Sequence, residues 1–240
     1  MSNQQSSLLI PGFLLAAGIA VAGFFISQTI YNAKVALNTA EAKGLAERRA
    51  MADRANWEIL FSVSGNKRED LPALYEKAEQ HQKTIIGLLI EGGFSDKEIK
   101  RGVIDYRYQE FRDDKQKLVD QVHKLVGDIS VETNKVELVG EVRSKVNRLI
   151  AQGIAIENRP PAYRFTKLNE IKPEMLREAT KNARLAANEF ASNAGVTVGG
   201  IRSARQGSFY VIDAGEEYGD TGKLEKDVRV VTTITFYLTD

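Results

Sequence analysis

The chain has 240 residues, 43% hydrophobic and 27% charged, with a formal net charge of +1 and no cysteine. That length accommodates one large domain or two small ones with a substantial core, and the near-zero charge offers no overall electrostatic reason to bind nucleic acid, whose phosphates draw a basic footprint. The lack of cysteine excludes disulfides, thiol catalysis and thiolate metal sites.

The first feature in chain order is apolar. Residues 1–33 carry no charged side chain, and Leu8 to Ile26 form a run of 19 residues dominated by Leu, Ile, Phe, Ala, Val and Gly. As a helix this run spans about 28 Å at ~1.5 Å per residue, close to the hydrocarbon thickness of a bilayer. We expect a membrane anchor whose apolar surface is carried by Leu8, Leu9, Ile10, Phe13, Leu14, Leu15, Ile19, Val21, Phe24, Phe25 and Ile26. A cleaved secretory signal is the alternative, although a signal favours a basic start, a shorter core and a small-x-small cleavage site. A buried soluble helix is the third. Lys34, Lys43, Arg48 and Arg49 all follow the span and no Lys or Arg precedes it, which by the positive-inside rule alone places the following domain in the cytoplasm. The expected organisation is a short tail over 1–7, an anchor over 8–30, a polar stalk or short helical continuation over 31–43 and a globular domain over 44–240.

Within that domain, Leu45 to Ser64 puts Trp57, Ile59, Phe61 and Val63 on one parity and predicts a strand with one buried face. Asp70 is placed to cap a helix with Leu71, Leu74, Ala78, Ile85 and Leu89 on its apolar face, stopped by Gly92-Gly93. Gly102 to Phe111 alternates and predicts a strand, Asp113-Asp114-Lys115 a hairpin connection, and Leu118 to Thr133 a second strand broken near Gly127. Val136, Val139, Val142, Val146, Leu149 and Ile150 recur at helical spacing, which outweighs the strand propensity of valine. After Pro160-Pro161, Ala162 to Leu168 is expected to enter a sheet from its edge. A helix follows from about Pro173 to Ala194, with Met175, Leu176, Ala179, Ala183, Ala186, Ala187, Phe190 and Ala194 forming an alanine-rich stripe suited to close packing on a sheet, and Gly195 as its stop. Strands over Ile201–Gln206, Phe209–Asp213 and Asp227–Leu238 complete the chain, with a bend at Gly207 and a polar loop over 214–226. Short connections favour antiparallel pairing, hence an α+β fold with helices packed on sheet.

Chemistry is sparse. The two histidines, His81 and His123, lie in no HExxH or related motif and read as partly buried, hydrogen-bonded side chains. No GxSxG elbow or SxxK pair occurs. Gly199-Gly200 and Gly219-Asp220-Thr221-Gly222-Lys223 lack the spacing of a phosphate loop and read as turns. Glu216, Glu217 and Asp220 lack the alternating oxygen ligands of a calcium loop. No catalytic, cofactor-binding or metal residue is therefore nominated, and the aromatic residues of the predicted strands are assigned to core and cross-strand packing. If the first or last strand lies at a sheet edge, its unpaired backbone invites another subunit.

Several runs resemble one family. Tyr163-Arg164-Phe165-Thr166-Lys167-Leu168-Asn169-Glu170-Ile171-Lys172-Pro173-Glu174-Met175, Glu178-Ala179-Thr180-Lys181-Asn182-Ala183-Arg184 and Gly200-Ile201-Arg202-Ser203-Ala204-Arg205-Gln206-Gly207 look like the SIMPL-domain family of bacterial envelope proteins. Lys43-Gly44-Leu45-Ala46-Glu47-Arg48, with Ala52-Asp53 and Trp57, resembles its opening strand, and Val228-Arg229-Val230-Val231-Thr232-Thr233 its closing one. The resemblance implies an α+β SIMPL-like domain of mainly antiparallel sheet with packed helices behind an N-terminal transmembrane helix. It also implies export, against the charge rule, and so a single-pass protein of the bacterial inner membrane with its large domain in the periplasm. The expected function is a non-catalytic interaction or assembly module, a homo-oligomer with no cofactor and no nucleic-acid partner, serving envelope integrity or stress tolerance. A small-ligand binder or an enzyme with a site assembled from distant residues is the alternative.

Overall fold

The computed structural model describes residues 3–35 and 38–239, with side chains for 11–33 and 38–239. Helix α1 (Asn3–Val35) is apolar on every side, with a candidate membrane span over Pro11–Ala33 that buries none of its surface against the rest of the protein. Such a helix lacks the one-sided stripe that would seat it on a core, and hydrocarbon is the solvent that suits it. The span therefore reaches beyond the expected end at residue 30. Of the named anchor residues, Phe13, Leu14, Leu15, Ile19, Val21, Phe24, Phe25 and Ile26 are exposed, while Leu8, Leu9 and Ile10 lie outside the residues whose side chains are described. The helical continuation expected after the span is seen to Val35, where α1 ends, and strand β1 (Thr39–Met51) already begins at Thr39.

The remaining elements in order are β2 (Arg54–Gly65), α2 (Leu71–Glu91), β3 (Ile99–Arg101), β4 (Asp105–Arg112), β5 (Leu118–Thr133), α3 (Val136–Arg148), β6 (Ala155–Asn158), β7 (Ala162–Arg164), α4 (Leu168–Ala194), β8 (Thr197–Asp213) and β9 (Glu225–Thr239). The expected single strand over 45–64 is two strands in different sheets. The chain breaks at Ala52-Asp53, where the Asp53 carboxylate accepts the Thr166 backbone N–H at 2.5 Å and its hydroxyl at 2.6 Å. The chain forms an α+β fold that divides into two compact units, one of Met1–Ala46, Glu174–Ser208 and Val230–Asp240, the other of Glu47–Pro173 and Phe209–Arg229.

The larger unit is built on a six-stranded sheet with the order β3-β5-β2-β6, in which β4 also pairs with β5 and β7 with β2. All five pairings are antiparallel. Their register explains the core. Trp57 lies opposite Val131, Ile59 opposite Ile129, Phe61 opposite Gly127 and Val63 opposite Leu125, and all but the glycine are buried apolar side chains on one face. Gly127 does not break β5 as predicted. It leaves space for a ring: a Cβ there would sit 2.2 Å from Phe61 Cζ. Helix α2 contributes Ala78, Ile85, Ile86 and Leu89 to this core, and α3 contributes Val136, Val139, Val142 and Val146. Asp70 makes no side-chain cap to α2; a short 3-10 turn over Arg68–Asp70 leads into the helix instead, and Pro72 occupies its first turn.

In the smaller unit, α4 buries Met175, Ala179, Ala183, Ala187 and Ala191. Its core also takes in Ala42, Ile234 and Phe236. The small residues matter because the helix touches the sheet with its backbone: a Cβ on Gly44 of β1 would lie 1.8 Å from the Ala179 carbonyl oxygen. The predicted stripe is right at Met175, Ala179, Ala183 and Ala187 and wrong at its end, where Phe190 is 67% exposed, Ala194 is exposed and Ala191 is turned inward instead. Helix α4 also starts a turn earlier than predicted and carries Pro173 inside it, which forgoes one backbone hydrogen bond. Its C-terminus closes as expected at Gly195, in a left-handed conformation with Val196 N–H bonded to the Ala191 carbonyl and Gly195 N–H to that of Ser192. Strand β9 is central in the three-stranded sheet β1-β9-β8. The last strand is thus not an edge, and β1 and β8 are. Strand β8 runs unbroken through Gly207, whose place on the strand a Cβ would contest with the Val231 carbonyl oxygen at 2.6 Å.

Candidate ligand cleft and interaction edge

Three places in the larger unit carry polar chemistry. The first is the connection between β8 and β9. Its residues 219–223, which resemble a fragment of a phosphate loop, wrap a carboxylate of the chain itself: Asp213 accepts hydrogen bonds from the Gly222 N–H at 2.7 Å, the Lys223 N–H at 3.1 Å and the Lys226 ammonium. Lys226 is fully buried and also donates to the Asp220 carbonyl at 2.9 Å. Burial pushes the Asp213 carboxyl up, but these donors, Lys226 first, outweigh it and hold the group below the usual carboxylate range. The donors that could meet an outside anion are already used by Asp213.

The second place surrounds His123, which is 3% exposed. The register sets Tyr108 opposite it and Tyr106 one step away. The Tyr106 hydroxyl lies 2.7 Å from Nδ1, both tyrosine rings pack on the imidazole, and Nε2 is buried without a partner. His81 on α2 is partly buried with its Nδ1 likewise unpartnered; burial, then the neighbouring Lys77, lowers its pKa. Both histidines are therefore less well satisfied than their sequence context predicts. Neither joins a group of three or more metal-ligating side chains among the described residues.

The third place is a cleft of ≈ 420 Å³ on the face of the β4-β5-β2-β6 sheet, lined in part by Leu60, Arg107, Lys124, Val126, Ile156 and Arg159. Arg107 and Lys124 are directly opposite each other in the β4–β5 ladder. Like charges so placed destabilise a sheet. Across the cleft, Arg159 is held by Glu58 at 2.6 Å and Glu157 at 3.0 Å. The arrangement can attract an anionic group at one end and an apolar one along Leu60, Val126 and Ile156. Its lining includes Ser62 but no histidine or aspartate that would activate it. Sequence reasoning nominated none of these residues. Arg107, Lys124 and Arg159 lie in no motif, and only the strand register brings them to one face.

The hairpin of β4 and β5 also forms an edge. All eight residues of β4 are exposed, and among the described residues its strand partner is β5 alone. Tyr106, Tyr108, Phe111, Leu118 and Val119 on this hairpin are 43% to 68% exposed. The turn itself is well made, because the Asp113 carboxylate accepts the N–H groups of Lys115 and Lys117 at 2.9 and 2.8 Å.

A search of curated proteins finds no match. Among solved structures, similarity is found to a protein described as an aminohydrolase from methicillin resistant Staphylococcus aureus, at 13% identity over 59% of this chain and 39% of that one, with a TM-score of 0.25. A hydantoinase/carbamoylase family amidase from Burkholderia ambifaria gives 11% over 55% and 33%, with a TM-score of 0.21. An unknown protein from Galdieria sulphuraria gives 10% over 76% and 83%, with a TM-score of 0.20. The chain thus spans 39% and 33% of the length of the first two. All three overlaps are too slight to relate chemistry. Residues 41–236 match the family described as "SIMPL: Protein of unknown function (DUF541)", and with most of its length so matched the chain belongs to the SIMPL family.

Proposed function

We propose that this SIMPL protein is a non-catalytic interaction module held at a membrane by α1, and that it assembles with further copies of itself through the β4 edge. The observation that carries this reading is the edge: a strand of eight residues, exposed along its whole length, on a hairpin that also presents five exposed apolar or aromatic side chains. The open edge of a strand of this length offers backbone hydrogen bonds to an incoming strand, and the side chains beside it supply apolar area. We place the module in the bacterial envelope, on the periplasmic face of the inner membrane, with a role in envelope integrity or stress tolerance. That placement draws on the family and on the apolar helix.

The test is the mass of the full chain in detergent, by sedimentation or light scattering across a range of concentrations. A defined assembly that persists on dilution is expected, and Phe111→Lys with Val119→Lys should dissociate it without altering the circular dichroism of the fold. A monomer, or an assembly untouched by both substitutions, would overturn the reading. A second reading, binding of a small anionic ligand with an apolar part, is favoured by one observation: Arg107 and Lys124 stand side by side over an apolar floor. Saturable binding of a medium-chain fatty acid, lost in Arg107→Gln with Lys124→Gln, would support it.

A further inference from the structure

We infer that the end of the smaller unit formed by the C-terminus of α4 rests on the lipid surface of the bilayer that α1 enters; this rests on the reading of α1 as an anchor. At that end, Phe190, Ala191 and Ala194 of α4, Val196 after it, Ala40 of β1 and Leu238 of β9 line an apolar groove of ≈ 310 Å³. Its one charged lining residue is Glu41. Phe190 stands 67% exposed beside the groove although its helix neighbour Ala191 is buried. A large aromatic ring left in water at the end of a helix is expensive, and amphipathic surfaces with such residues favour the boundary between headgroups and acyl chains.

Two independent facts name lipid as the occupant. The first is reach. Five residue steps separate Val35, the last residue of α1, from Ala40 in the groove wall. At roughly 3.6 Å per residue this tether is at most about 18 Å whatever its conformation. The headgroup layer accounts for about 5–8 Å on each side of the hydrocarbon, so the groove is confined to the neighbourhood of the membrane surface. The second is charge. Around the groove, segments 190–201, 230–239 and 35–40 contain no Asp, Glu, Lys or Arg, in a chain that is 27% charged, and Glu41 in the lining and Glu189 before Phe190 are the charges that flank them. Charged groups are costly to bring to a bilayer and their absence from three separate stretches of chain makes this end suited to lipid rather than water.

The absence of cysteine allows a direct test. Phe190→Cys and, separately, Ala194→Cys in the full chain are labelled with an environment-sensitive fluorophore and placed in phospholipid nanodiscs containing doxyl-labelled lipids. Phe24→Cys, within the span, serves as the reference. Docking predicts a blue-shifted emission at 190 and 194, quenching by doxyl lipid that is strongest for shallow probes, about 5–10 Å into the boundary, and protection from aqueous iodide. Labels open to iodide and untouched by doxyl lipid would overturn the inference, as would labels reached by neither quencher, which means that protein covers the groove. If the label at 24 also escapes doxyl lipid, the anchor reading itself has failed and the docking falls with it.

Discussion

Gly127 and Phe61 form the cross-strand pair on which the core of the larger unit can be tested most directly. They face each other in the β2–β5 ladder, and a Cβ on residue 127 would lie 2.2 Å from Cζ and 2.6 Å from Cε1 of the Phe61 ring. The ring is 1% exposed and cannot swing into solvent. Gly127→Ala therefore overpacks the core, at about 1–3 kcal/mol, while the lost freedom of the unfolded chain offsets roughly 0.4–1 kcal/mol of that. The net expectation is a loss of about 1–2 kcal/mol, or roughly 2–8 °C in melting temperature for a chain of this size. Phe61→Leu alone is destabilising because it removes buried apolar surface, yet it also vacates the space a methyl group needs. The double variant should therefore be more stable than the sum of the two losses by about 0.5–3 kcal/mol. Unfolding of the full chain in detergent can be followed through its single tryptophan, Trp57, which is buried in the same strand. A neutral Gly127→Ala, or strictly additive losses in the double variant, would refute the account of this pair.

Glu98 predicts an acid limb of stability. Burial raises its carboxyl, but hydrogen bonds from the Thr133 hydroxyl at 2.5 Å, the Ser95 N–H and hydroxyl at 2.8 Å and the Lys135 ammonium at 3.3 Å bring it from 4.5 down to about 2. A carboxyl depressed in the folded state contributes stability that is complete above its unfolded value and lost as pH falls through the folded one. Denaturant titrations should thus show stability disappearing as pH falls from 4.5 to about 2, and Glu98→Gln should flatten that limb. Lys226→Met should cost about 3–5 kcal/mol in the same assay, because it strips a buried carboxylate of its counter-charge, and Asp213→Leu in the same chain should recover part of the loss. Val21→Arg, near the middle of the span, should impair insertion by roughly 3 kcal/mol and be read by membrane fractionation; an unchanged integral fraction would speak against the span.

Local pattern was sufficient for much of the fold. The span, α2, α3 and the buried parity of β2 are periodicities of 3.6 or 2 in apolar residues, and the turn at Asp113 and the stop at Gly195 depend on side-chain chemistry and backbone freedom within a few residues. The family, too, was legible, because its recurrent residues lie in continuous runs. The errors have a common origin. Gly127 and Gly207 look like strand breaks from their neighbours in sequence, but each is small because of an atom far along the chain, a Phe61 ring and a Val231 carbonyl. Leu45 to Ser64 looks like one strand, and bonds to distant residues divide it: Thr166 donates to the Asp53 carboxylate, and the Ala52 and Asp53 N–H groups donate to the Leu224 and Arg164 carbonyls.

What the sequence by itself determined, then, is an N-terminal helix long and apolar enough to cross a membrane, the family and the type of most elements, since these depend on composition and on contacts within one or two turns. The candidate cleft, the β4 edge and the exposed Phe190 were decided by tertiary structure. Register places Arg107 beside Lys124, sheet order makes β4 an edge strand and β9 a central one, and the rotation of α4 on its alanines turns Ala191 in and Phe190 out. Each depends on pairings between residues distant in sequence, and no local spacing records them.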